Sequence, residues 1–449
     1  MAVPDGANLR VVRDGGHWTG PDGIRRRLLT GRCPTSTKDA VGSARLLRSH
    51  SLLSVAPTHN RQMIHIDPVA SGAARRKTHV WPATPVWSAT TASRGWWIVL
   101  LLWWAGWFLA QHHQGGASWH FFSDGARVLS DLDDGRHAGL HVYAEHPVLQ
   151  IGPVALGTAW VLATLSDSNG VLAAQVLGAA LGGVIVLLVR HMAHQLQASH
   201  PSAQRLNVDR QLLLAAACFV PVWSYVAVSS THLDDVLALT MGMAALALVV
   251  SRHPVGAGFA VALAVDSKPW ALPLAAVLLA LPSLRDRTMA LCVVALGVAA
   301  VWLPFFIADP QTIRAMHFTI ANSPLSGLRA LDVMSPRTPA WDRPLQTVLG
   351  AGLAIAAVLR GRTTGVLLVV MASRLALDPS TNHYYTAGLA VGALLWDVTG
   401  SRRRWPWWSL TVLLVLHGAR WVPALNPVHG LALIAFALAA AVFVAVGKF

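Results

Sequence analysis

From Trp96 to the C-terminus the chain is a series of apolar runs of about 15 to 22 residues separated by short polar pieces, and the runs lack the polar stripe of an amphipathic helix. At 1.5 Å per residue each run crosses, or nearly crosses, a hydrocarbon core roughly 30 Å thick. The pattern predicts apolar helices at about 96–111, 148–166, 170–189, 211–229, 233–251, 255–266, 269–283, 288–307, 344–359, 364–377, 384–399, 407–421 and 427–446. The stretch 255–283 also reads as one broken helix. The implied fold class is all-α, a polytopic transmembrane helical bundle of about 10–12 spans. A soluble helical protein is the alternative, and the missing polar stripes argue against it.

Residues 1–95 follow a different pattern. Arg25-Arg26-Arg27 and Arg75-Arg76-Lys77 stand among Gly, Pro, Ser and Thr, with no sustained apolar period from which to build a core. This predicts a disordered, basic, cytoplasmic tail. It has no apolar core of signal-peptide type followed by a cleavage site, and Met63 offers an alternative start. The expected organisation is therefore a tail over 1–95 and a transmembrane domain over 96–449. Lys/Arg placement puts the tail, Arg285 with Arg287, Arg360 with Arg362, and Arg402-Arg403-Arg404 in the cytoplasm. The loops 112–147 and 308–343 and the turn 378–383 then face outward. Arg190, Arg205 and Arg210 ask for the inside as well, yet counting spans from the tail puts them outside. Either 148–166 dips into the membrane without crossing or 255–283 is a single span.

Composition agrees with this organisation: 54% of residues are hydrophobic and 12% charged, with a mean hydropathy of +0.48. A soluble domain carries about twice that charge fraction. The net charge of +14 raises the question of nucleic acid, and its location answers it. Residues 1–95 hold 14 Lys/Arg against 5 Asp/Glu, so nine of the charges lie in the tail. The rest sit mostly in short loops beside apolar runs, where positive-inside topology accounts for them; no nucleic-acid partner is expected. Cys33, Cys218 and Cys292 have none of the close spacing of a metal or redox motif.

Two long loops carry candidate chemistry. The first concentrates five carboxylates and several histidines: Asp124, Asp131, Asp133 and Asp134, then Tyr143, Glu145 and His146. A carboxylate here is placed to act as a general base or to hold a divalent cation, and Trp119, Phe121, Phe122 and Tyr143 form an aromatic rim for a sugar face or the lipid interface. Asp131-Leu132-Asp133 has the D-x-D form of a Mg or Mn site, although the form is short and common. The bland reading is a solvated loop anchored by its aromatics. The second long loop, 308–343, holds His317, Asn322, Arg329, Asp332, Arg337, Asp342 and Arg343, and its cations suit an anionic headgroup or local acids.

Charges at the edges of apolar runs are more telling, because burying one is expensive. Thr231-His232-Leu233-Asp234-Asp235 opens a helix, where the acids also favour the N-terminal dipole. Asp266-Ser267-Lys268-Pro269-Trp270 interrupts an apolar stretch, with Lys268 placed to bind a phosphate or to pair with Asp266. Arg374 ends a span, and Asp378-Pro379-Ser380-Thr381-Asn382-His383-Tyr384-Tyr385 leads into the next.

Together these features resemble the GT-C superfamily of polytopic glycosyltransferases, most closely the polyprenyl-phosphate-mannose-dependent mannosyltransferase-like proteins of the glycosyltransferase 87 type. Asp124, Leu140, Tyr143 and Pro153 stand in the order that family shows after its first span, and the His232-x-Asp234-Asp235 and Lys268-Pro269-Trp270 segments look like its helix-start elements. The likeness covers about residues 96–400. It departs where Asp124 is followed by Gly125-Ala126-Arg127 instead of Asp-x-x-Val-Tyr, and where Pro153 is not doubled. The resemblance implies inverting transfer of a sugar from a polyprenyl-phosphate donor to a lipid or glycan acceptor outside the cell membrane. Asp124 would be the general base. Tyr143, Glu145, His146, His232, Asp234, Asp235, Lys268, Arg374, His383 and Tyr384 would bind donor and substrate, with a divalent cation (Mg or Mn) as an optional partner of Asp131 and Asp133. The rival readings are a transporter or lipid flippase, which needs similar intramembrane charges, and a non-catalytic scaffold.

Overall fold

A computed structural model describes residues 88–131, 139–166, 170–199, 208–401 and 403–446, so the predicted tail up to residue 87 lies outside it. The described residues are helical and contain no strand; Ala321 and Arg337 make one isolated antiparallel bridge. The main helices are α1 (Ser88–Gln111), α2 (Trp119–Ser130), α3 (Pro153–Ser166), α4 (Gly170–Ser199), α5 (Val208–Ser224), α6 (Leu233–Val250), α7 (Pro254–Ser267), α8 (Leu284–Ala308), α9 (Asp342–Leu359), α10 (Val366–Leu377), α11 (Thr386–Thr399), α12 (Trp407–Thr411) and α13 (His429–Ala440). The first helix starts at Ser88, eight residues before the apolar run begins.

Five helical stretches are long and apolar enough to cross a membrane: Gly170–Ala198, Val208–Ser229, Leu233–Val250, Leu284–Ala308 and Pro423–Ala445. Shorter apolar helices occupy Pro153–Ser166, Pro254–Ser267, Pro269–Ala280 and Thr363–Leu377. Helix α6 is largely enclosed by its neighbours. In contrast, α8 turns Leu284, Leu296, Leu303 and Ile307 outward at exposures of 53% or more. An outward-facing apolar belt of this kind is what a lipid solvent stabilises.

The stretch 255–283 is broken, as its sequence allows. Lys268 precedes a proline and is extended (φ −157°, ψ 120°), which ends α7; the chain resumes as a 3-10 helix over Pro269–Ala280, with Pro273 denying it a regular α ladder. Successive helices then run alternately away from and back to one end of the bundle. That end collects the start of α6, the end of α7, the end of α10 and the start of α11. The opposite end carries short turns bearing Arg252, Arg285, Arg287, Arg360 and Arg362.

Helix α3 starts and ends on the same side of the bundle. At its start Gly152 N–H donates to the Ser267 carbonyl (3.1 Å), beside Lys268. At its far end Ala163 packs near Gly170 and Trp119, and Ser118, the residue before Trp119, donates to the Ser230 carbonyl (2.8 Å). Both ends of α3 are therefore tied to the same end of the bundle. Helix α4 consequently runs from that end to the other, which places Arg190, paired with Asp209 at 3.0 Å, among the remaining short-turn arginines.

The loop 308–343 folds on itself and onto the bundle. Asn322 donates to the carbonyls of Val333 and Ser335 (both 3.0 Å), Ser323 N–H donates to the Pro379 carbonyl (2.8 Å), and Arg343 reaches Gln150 at 2.5 Å. Arg337 reaches the Thr319 hydroxyl (3.4 Å) and Arg343 the Met316 carbonyl (3.2 Å), and the loop roofs the end where α10 finishes.

Candidate functional site

Four separate chain segments meet at this end, and a strained turn aims the first of them. Thr231 sits at φ +49°, a left-handed conformation that a β-branched residue seldom adopts. The turn is held by Thr231 Oγ1 donating to the Val228 carbonyl (3.0 Å) and by Ala117 and Ser118 donating to the carbonyls of Ser229 and Ser230. Gly116 makes the last contact possible, since a Cβ there would meet Thr231 Oγ1 at 2.6 Å. Beyond the turn, α6 begins with His232 as its cap residue and Asp234 and Asp235 in its first turn, where backbone N–H groups favour negative charge.

The break after α7 supplies the cation. Lys268 Nζ lies 2.7 Å from Asp235 Oδ2, 3.0 Å from Asp234 Oδ2 and 3.1 Å from His232 Nε2. Two residues on, Trp270 Nε1 donates to Asp235 Oδ1 (2.9 Å). From α10, Arg374 comes within 4.0 Å of Asp235 and 3.6 Å of Asp378, one helical turn along. Its guanidinium stands over the rings of Trp270 (4.9 Å) and Tyr385 (5.1 Å). Tyr384 stacks on His232 with centroids 4.0 Å apart. Asp234, Asp235 and Arg374 are 2%, 4% and 8% exposed, so this is a buried knot in which three carboxylates face two cations. Burial pushes His232 below the ordinary imidazole range, against the pull of Asp234 and Asp235.

His232, Asp234 and Asp235 each offer a ligand atom, and the three lie within 4.8 Å of one another. The same atoms already converge on Lys268 Nζ, which fills the place a metal would take. As arranged, the trio holds an ammonium. The D-x-D candidate divides: Asp131 is an exposed residue at the end of α2, and Asp133 lies outside the described residues.

Of the residues expected from sequence, His232, Asp234, Asp235, Lys268, Arg374 and Tyr384 are brought together. The others stand apart. Asp124 is 50% exposed and paired with Arg127 at 3.0 Å. It belongs to α2, whose buried face is Phe122, Gly125 and Ala126; Phe122 meets the edge of His232 at 5.8 Å. At roughly 100° per residue Asp124 points about 160° away from Phe122, on the outer face of that helix. Tyr143 and Phe122 are wholly buried and form no rim. The Tyr143 hydroxyl donates to the Ile151 carbonyl (2.8 Å) and its ring packs on Trp302 and Phe305, a packing role. Glu145 is exposed and His146 half-buried at the end of the short helix Val142–Glu145.

His383 enters a neighbouring aromatic box with Tyr225 (5.4 Å), Trp421 (4.9 Å) and His417 (6.0 Å). Burial, then Arg420 and two further imidazoles, His417 and His429, push it down to about 3. Lys268 does not pair with Asp266, whose two carboxylate oxygens are buried with no hydrogen-bond partner. Trp270, Asp378 and Tyr385 complete the knot without having been singled out as site residues; their signals were position i+2 from Lys268, i+4 from Arg374 and the Tyr-Tyr pair. Comparison with protein-family models, with curated proteins and with solved structures finds no match to this chain.

Proposed function

We propose that the chain is an integral membrane glycosyltransferase of the cell envelope. It takes a sugar, mannose or another hexose or pentose, from a polyprenyl-phosphate donor and passes it with inversion to a lipid or glycan hydroxyl on the extracytoplasmic side. The observation that supports this reading is the knot itself: two buried cations, Lys268 and Arg374, at the mouth of an apolar bundle, where a lipid-borne phosphate would have to leave. In this reading each cation exchanges a carboxylate for the donor phosphate, and Trp270, Tyr384 and Tyr385 offer flat apolar faces to the sugar. The acceptor oxygen forms its bond to the anomeric carbon as the bond to the phosphate oxygen breaks, and the electron pair stays on the phosphate. The acceptor's proton goes to Asp124 only if α2 turns that carboxylate, here on the helix's outer face, toward the knot when substrate binds.

The test is transfer of labelled sugar from a polyprenyl-phosphate donor by the full chain in vesicles. Asp124→Asn is expected to lower the rate by roughly 10²–10⁴-fold, the usual worth of a general base. Full activity in that variant would remove Asp124 as the base, and no product from the unaltered chain with any such donor would end the transferase reading. The knot's carboxylates favour a second reading, a lipid transporter or flippase, because cations already countered by carboxylates are what a moving charge requires. Vesicles would then move labelled lipid between leaflets without forming a glycosidic bond.

Both readings place the knot outside the cell and the short-turn arginines inside. In a chain with Cys33, Cys218 and Cys292 replaced by serine, cysteine at Glu145 is expected to react with an impermeant thiol reagent on intact cells. Cysteine at Arg252 should react only after lysis. The reverse pattern would invert the orientation.

A further inference from the structure

The end of the bundle opposite the knot holds an open cavity of about 2300 Å³, bounded by the last turns of α4, α6 and α11, the turn between α9 and α10, and helices α12 and α13. Its lining contains Arg252, Arg362 and Arg403, and none of the described lining residues is an aspartate or glutamate. Away from this basic rim the wall continues as an apolar trough past Val415, Phe436 and Phe443; Val415 and Phe443 are 47% and 41% exposed. Arg362 sits where rim meets trough, held by its hydrogen bond to the Phe443 carbonyl at 2.5 Å. The cavity is thus built in two halves, one cationic and one oily. It is larger than the roughly 300–1,000 Å³ of a small-molecule pocket.

We propose that this cavity binds an anionic membrane phospholipid, with the headgroup phosphate at the rim that carries Arg252 and Arg403 and the acyl chains along the trough. Guanidinium groups hold phosphate oxygens through paired, charge-assisted hydrogen bonds, and basic pockets between membrane helices hold anionic headgroups for this reason. The charge pattern selects among occupants. The N-terminal tail, with 14 Lys/Arg against 5 Asp/Glu over residues 1–95, has the same sign as the rim and supplies no complementary charge. A lipid with no net charge offers Arg252 and Arg403 no counter-charge, and free phosphate leaves the trough empty. The site lies at the far end from Lys268 and holds whether the knot transfers a sugar or moves one.

The experiment uses the full chain, delipidated in nonionic detergent and offered phosphatidylglycerol, phosphatidylcholine or inorganic phosphate. Retained lipid is read by native mass spectrometry and stability by the midpoint of thermal unfolding. Phosphatidylglycerol is expected to be retained at least about tenfold better than phosphatidylcholine and to raise the midpoint. The double variant Arg252→Gln, Arg403→Gln should lose that preference, leaving the structural Arg362 in place. Ala439→Phe, which fills the trough and touches no charge, should lower retention of both lipids. Equal retention of the two lipids by the unaltered chain overturns the proposal. So does a midpoint shift from phosphate alone that matches phosphatidylglycerol, or unchanged retention in both variants.

Discussion

Replacing Lys268 with methionine is expected to lower stability by about 3–5 kcal/mol, the range for breaking a buried ion pair by removing one partner. Methionine keeps most of the stem's volume, so the loss is the charge. Asp234 and Asp235 would then lie side by side, both under 5% exposed, with only the more distant Arg374 to offset them. Thermal unfolding of the purified chain in detergent measures the effect, and donor-dependent activity should vanish with it. Adding Asp234→Asn to Lys268→Met removes the excess negative charge and should recover much of the stability without recovering the activity. An unchanged midpoint in the single variant would mean that one of the two aspartates already holds a proton in the folded protein, and the ion-pair account would fail.

Gly152→Ala is expected to be as damaging, through a single methyl group. The added Cβ would stand 2.0 Å from the Asp266 carbonyl oxygen and 2.5 Å from that of Ser267. Both are backbone atoms and cannot swing aside, so the hydrogen bond from Gly152 to Ser267 must open and α3 must leave α7. The cost should reach or exceed the upper end of the roughly 1–3 kcal/mol typical of overpacking. Gly157→Ala, on the same helix with nothing within 4 Å of the added atom, supplies a control of opposite sign. It should stabilise by about 0.5–1 kcal/mol, the usual gain over glycine inside a helix. Equal unfolding midpoints for the two variants would contradict the close approach at Gly152.

These two positions also show how far the sequence could be read. Helices were legible because apolar runs leave the backbone no other way to satisfy its polar groups in lipid, and each predicted run is helical over most of its length. The break at Lys268 was legible from the proline that follows it. The return of α3 to its own side was narrowed to one of two alternatives and no further, because the deciding contact joins Gly152 to Ser267, far along the chain. Within the knot, His232, Asp234, Asp235, Lys268 and Arg374 announced themselves as charges at the edges of apolar helices. Their partners did not. Lys268 has an acid two residues away in sequence, but the side chains at the end of α7 diverge, and its ammonium turns to α6 instead. Asp124 shows the converse: its residue type suits a base, and only the helical phase set by Phe122, Gly125 and Ala126 reveals that it faces outward.

The knot joins residues 232–235 to Arg374 and Tyr385, and this spacing bears on how the protein is made. When α6 leaves the ribosome its two aspartates have no partner; Lys268 follows soon after, but Arg374 and the tyrosines are synthesised only after α8 and the loop 308–343 have emerged. Until then Asp235 lacks its second cation, so the first turn of α6 would rest in the headgroup layer and sink to its final depth late. A nascent chain arrested before residue 374 should therefore leave Asp235 within reach of water-soluble reagents, whereas the finished protein hides it.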